Sequence, residues 1–129
     1  MKRIFVVCVV LGLWPASAGL AQSLEVQLPT SYTVVQRGQN GLGRIAIEGR
    51  LSGAASAIEA RFAGGPWQVI DANPTPSAFA GVLHQQPVGH GVLEVRFANQ
   101  PGVIGAVVNV AVGDLYLITG QSNAEGQGY

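Results

Sequence analysis

The sequence predicts a mainly β protein in which an antiparallel β-sandwich module is followed by the first strand and turn of a truncated α/β arrangement. Three observations carry this expectation. Between Leu24 and Val112 apolar residues alternate with polar ones instead of recurring at helical spacing. Gly, Pro, Asn and Ser interrupt them roughly every 8–12 positions, the pattern of short strands joined by tight turns. The last apolar run, Asp114 to Thr119, hardly alternates, and such a run suits a strand covered on both faces, as in a parallel sheet between helices.

The chain begins with Lys2 and Arg3, an apolar run from Ile4 to Trp14, and small residues at Ala16, Ala18 and Ala21. That is the layout of a secretory signal peptide. The run is about half of the roughly 20 residues a membrane-spanning helix requires, so no integral membrane segment is expected after cleavage. Cleavage after Ala18 or Ala21 is compatible with the small residues, and Ala21 is favoured because it leaves a polar Gln22. The expected organisation is a signal peptide over 1–21, a β-sandwich over 22–112 and the start of a second domain over 113–129, in a secreted or periplasmic protein. Cys8, the single cysteine, lies in the apolar run and follows Phe5-Val6-Val7. It therefore fits neither a lipoprotein cleavage site nor a disulfide of the mature chain, whose fold must rest on its core.

About 100 residues after Gln22 suffice for one small domain. Five arginines against seven acids leave that part near −2 in charge, without a run of like sign. Nucleic acid and anionic membrane surfaces are not expected partners.

Three segments alternate most clearly: Arg44-Ile45-Ala46-Ile47-Glu48, Ile58-Glu59-Ala60-Arg61-Phe62 and Leu93-Glu94-Val95-Arg96-Phe97. Successive side chains of a strand point to opposite faces, so Ile45, Ile47, Ile58, Ala60, Phe62, Leu93, Val95 and Phe97 can share one core. Glu59, Arg61, Glu94 and Arg96 then face water, where they can pair across strands without a catalytic role. Turns are expected at Gly38-Gln39-Asn40-Gly41, Ser52-Gly53, Gly64-Gly65-Pro66, Asn73-Pro74-Thr75-Pro76 and Gln100-Pro101-Gly102, which leaves seven or eight strands.

The final run leads into Gly120-Gln121-Ser122-Asn123-Ala124-Glu125-Gly126. A strand ending in a glycine-flanked serine can expose the hydroxyl as a nucleophile while the following amides face a developing oxyanion. Ser122 and Glu125 equally form a Ser-x-x-Glu capping box, the ordinary start of a helix, and spacing alone leaves both readings open.

The continuous block Val112-Gly113-Asp114-Leu115-Tyr116-Leu117-Ile118-Thr119-Gly120-Gln121-Ser122-Asn123 resembles the first block of the sialate O-acetylesterase-like group of SGNH hydrolases. The resemblance implies a flavodoxin-like α/β catalytic domain, Ser122 as nucleophile, and Gly120, Gln121 and Asn123 around the oxyanion and substrate. It implies an acetylated carbohydrate as substrate and no cofactor. Some secreted members carry a β-sandwich before the esterase domain, and Tyr32 to Arg37 and Val92 to Arg96 are similar to strands of such modules. Ala124 stands where many members have methionine, a mild departure. Gln121 replaces the aspartate of the lipase-like branch and favours the carbohydrate-esterase branch. The Gly-x-Ser-x-Gly elbow of α/β-hydrolases fits less well, since Ala124 replaces its last glycine and no strand–helix units precede Ser122. Asp114 is expected to be structural.

A serine nucleophile needs a histidine oriented by a carboxylate. In the resembled family that pair lies near the far end of the catalytic domain, so the chain is expected to be an N-terminal fragment, inactive alone. His84 and His90 sit in a strand end and a turn and are not expected to serve Ser122. They offer no metal-ligand spacing, and no phosphate-binding loop is present. Trp67, Tyr32, Phe79 and Tyr116 read more readily as core than as a sugar-stacking surface. The alternative is a non-enzymatic β-sandwich that binds carbohydrate or a partner.

Overall fold

The computed structural model describes residues 21–54 and 56–120. Most of the expected signal peptide, with Cys8, and Gln121 onward lie outside the described residues. Eight strands form in order: β1 (Ser23–Leu28), β2 (Val34–Gln36), β3 (Gly43–Ser52), β4 (Ile58–Phe62), β5 (Gln68–Asp71), β6 (Ala78–Gln86), β7 (Gly89–Phe97) and β8 (Gln100–Gly113). Among the described residues there is no helix, and hence none long and apolar enough to cross a membrane.

The strands make two sheets, β1-β3-β6 and β2-β8-β7-β4-β5. Every pairing is antiparallel except β2 with β8, which run parallel from Val34 opposite Ala111 to Gln36 opposite Gly113. This departs from the wholly antiparallel expectation. Between Leu28 and Val34 the chain passes from the first sheet to the second, and no hairpin imposes an antiparallel return.

The eight expected core residues are all buried, none more than 3% exposed. Leu51, Phe79, Leu83, Val107, Val110 and Val112 complete one cluster fed by both sheets. Side chains of this size each contribute about 1.5–3 kcal/mol when fully buried. In β3 the inward positions are Gly43, Ile45, Ile47, Gly49 and Leu51, and Gly49 is there for lack of room. A Cβ at Gly49 would lie 2.2 Å from the Glu25 carbonyl and 2.3 Å from the ring of Phe79, which stands opposite it in register. The phenyl ring fills the place of the missing side chain.

The structure departs from the pattern of the sequence at two places. Gln100-Pro101-Gly102 is not the turn; the hairpin turns at Ala98-Asn99, and Gln100 already pairs with Phe97. The register then shifts so that Arg96 faces Ile104, leaving Pro101, which has no amide to donate, in the irregular opening of β8. The strand expected over Asp114–Thr119 is also not formed: β8 ends at Gly113, and Leu115, Tyr116, Leu117 and Ile118 are 57–89% exposed. Among the described residues no strand or helix covers its apolar faces.

Candidate functional site

Of the residues expected to surround the reacting ester, Gly120 is the last one described, exposed and outside regular structure. Gln121, Ser122 and Asn123, with Glu125 of the capping box, lie outside the described residues. The structure therefore details the approach to this segment, which starts from a defined anchor at the end of β8.

That anchor is Asp114. Arg37 donates from Nε to Oδ1 and from a terminal nitrogen to Oδ2, each at 2.8 Å. Gln36 adds a bond from Nε2 to Oδ1 at 3.2 Å, while its Oε1 accepts the Leu115 amide at 2.6 Å. The Arg37 amide donates to the Gly113 carbonyl at 2.8 Å. The end of β2 thus holds three consecutive residues, Gly113 to Leu115, because parallel pairing sets Gln36 directly opposite Gly113. The Arg37 hydrogen bonds hold the Asp114 carboxyl below the usual carboxylate range, and the same bonds raise Arg37 above its ordinary value. Asp114 forms an ion pair with Arg37 across strands rather than opening a strand as expected.

His84 and His90 are both exposed, near the end of β6 and at the start of β7, strands of different sheets. His84 belongs to an irregularity in the β3–β6 pairing. Gly43 pairs with Gln86 and Ile45 with Leu83, so Arg44 alone stands against His84 and Gln85. That is a β-bulge, and Gln85 takes its left-handed backbone conformation with φ 54°,. Arg44, His84 and Gln85, with Asn40 and Leu42, line a cleft of about 270 Å³ that is open to solvent. A shallower groove beside it is bounded by Gly38, Gln39 and Asp114. Among the described residues no group of three or more His, Cys, Asp or Glu gathers as a metal site requires.

The aromatics divide. Phe79 is core, while Tyr32 and Tyr116 are more than 80% exposed. Trp67 is half-buried on the outer side of the five-stranded sheet rather than in the core. The guanidinium groups of Arg61 and Arg96 lie 4.6 and 3.9 Å from its ring centre. Each arginine also pairs with a glutamate on the neighbouring strand, Arg61 with Glu94 at 2.6 Å and Arg96 with Glu59 at 2.8 Å. The expected cross-strand pairs therefore form, and the indole covers them.

Sequence reasoning missed Gln36, Arg37 and Arg44 as site residues. Arg37 and Asp114 are 77 positions apart, and only the β2–β8 pairing brings them together. The bulge carried one signal: Gln85-Gln86-Pro87 ends an alternating strand without a glycine.

No family model matches the sequence, and no curated protein matches it. Among solved structures the chain is similar to a novel carbohydrate acetylesterase from Xanthomonas citri, at a TM-score of 0.47 and 25% identity over 73% of this chain. The chain spans 19% of the length of that protein. A likeness of this degree assigns neither a fold family nor an activity. The described residues define a mainly β module of two sheets around one core, with a solvent-open cleft beside Arg44 and an anchored exit segment at β2.

Proposed function

We propose that the chain is the leading part of an exported carbohydrate O-acetyl ester hydrolase of the sialate O-acetylesterase-like SGNH group, with Ser122 as nucleophile. The observation that carries this reading is the continuous block Val112 to Asn123. On this reading the two sheets are a β-sandwich module over 22–112, and the catalytic domain begins at 113. The unpaired apolar run Leu115 to Thr119 becomes the first strand of that domain's sheet once partners cover it, and Asp114 fixes where it departs.

The chemistry follows from the residue types. Ser122 Oγ attacks the acetyl carbonyl, its proton passes to a histidine, and amides around Gly120, Gln121 and Asn123 stabilise the oxyanion. Collapse expels the sugar hydroxyl with that proton and leaves acetyl-Ser122. Water activated by the same histidine then releases acetate. The histidine and its carboxylate are assigned to sequence beyond Tyr129, because the resembled family places that pair near the far end of its catalytic domain.

The coding sequence beyond Tyr129 is the first test, and absence of any Asp-x-x-His-like segment sinks the reading. The second compares acetate release from acetylated glycans by the extended protein and by its Ser122→Ala variant. Loss of release in the variant is expected, and negligible turnover by residues 22–129 alone. A non-enzymatic carbohydrate-binding β-sandwich is the second reading, favoured by the cleft that Asn40, Arg44 and Gln85 line beside the bulge. Glycan binding by a chain that gains no activity on extension would support it.

A further inference from the structure

We propose that the cleft at the β3–β6 bulge is a glycan subsite for a carboxylate-bearing sugar, independent of Ser122 and of the esterase reading. The bulge is the first support. It sets Arg44 against both His84 and Gln85 and holds Gln85, a residue with a side chain, at φ 54°. Such a conformation is uncommon outside glycine, and bulges can re-aim a side chain beside a binding site.

Charge is the second support. The ion pairs among the described residues occupy Arg37, Arg61 and Arg96, while Arg44 lines the cleft and, among the described residues, no aspartate or glutamate does. A guanidinium offers a planar fork that matches a carboxylate. The neighbouring Arg37 is engaged by both oxygens of Asp114. With a single available guanidinium, the cleft suits a singly charged carboxylate better than a doubly charged phosphate.

The remaining lining reads hydroxyls. Asn40 lines the cleft and uses Oδ1 to accept the Leu42 amide at 3.1 Å, so the group it can offer a ligand as donor is Nδ2,. Gln85 brings a donor and an acceptor, and His84 an imidazole. At about 270 Å³ the cleft lies just under the roughly 300 Å³ at which small-molecule pockets begin. That size and its opening to solvent fit one sugar unit of a longer chain rather than an enclosed ligand.

The test is titration of the isotope-labelled full chain with trigalacturonate, its methyl ester, galactotriose and acetate, followed by NMR. Saturable shifts at Asn40, Arg44, His84 and Gln85 are expected with trigalacturonate, and much weaker ones with the other three. Arg44→Gln should weaken binding about tenfold or more, the loss of one charge-assisted contact. Gln85→Gly keeps the backbone conformation, removes the amide and should weaken it several-fold. Arg50→Gln, an exposed arginine away from the cleft, should bind as the unaltered chain does. The proposal is overturned by absence of saturable shifts, by equal binding of galactotriose or acetate, by unchanged affinity in both cleft variants, or by an equal loss in Arg50→Gln.

Discussion

Two adjoining stretches of the chain are nearly equal in apolar character and opposite in fate. In β8, Val107, Val110 and Val112 are at most 8% exposed, whereas Leu115, Tyr116, Leu117 and Ile118, which begin three residues later, are 57–89% exposed. β8 has β7 on one side and β2 on the other; beyond Gly113 the described structure supplies no neighbouring strand. Burial is thus decided by which partners are at hand, and apolar content only states a need for them.

That comparison can be broken or sharpened by substitution. Phe97→Ala should destabilise the fold most, by about 3–5 kcal/mol in urea unfolding, as removal of a large core side chain does. A loss under about 1 kcal/mol would mean that the core is not shared by both sheets. Gly49→Ala should cost about 1–3 kcal/mol, because the new methyl must displace the Phe79 ring or the β1 backbone. Trp67→Ala should cost about 1 kcal/mol and expose two ion pairs, so its unfolding midpoint should become more salt-sensitive than the parent's.

The anchor between the two stretches gives a smaller, local effect. Asp114→Asn should leave the unfolding midpoint nearly unchanged yet speed hydrogen exchange at the Leu115 amide. The same release should follow acidification. The Asp114 carboxyl is held below its ordinary value, so its stabilising contribution is present above about pH 3.9 and is lost as pH falls through the depressed value. Release already complete at pH 5 would contradict the ion pair. Leu117→Ala should be smallest, within about 0.5 kcal/mol, as for surface positions generally; a larger cost would reveal a partner for that run.

Much of the buried core was legible because strand periodicity is local. Ile45 and Ile47, or Leu93, Val95 and Phe97, announce their face by spacing two, and the structure buries all of them. The Ala98-Asn99 hairpin was not legible, since Gln100-Pro101-Gly102 carries the stronger turn residues but sits in an irregular strand opening. The Arg37–Asp114 pair was beyond reach for a different reason: it depends on which strands become neighbours, and a parallel pairing leaves no turn signal between them. Of the candidate site, the motif around Ser122 was readable as chemistry, while the bulge that groups Arg44, His84 and Gln85 arises from register.

The two-point grip of Arg37 on Asp114 also resists rotation. A single bond would let whatever follows swivel about one contact, but two parallel N–H···O bonds with the backbone bond to Gly113 fix twist as well as direction,. The exit from the sheet is therefore a keyed joint rather than a tether. Arg37→Lys, which keeps the charge but offers no fork, should retain the attachment and lose the orientation.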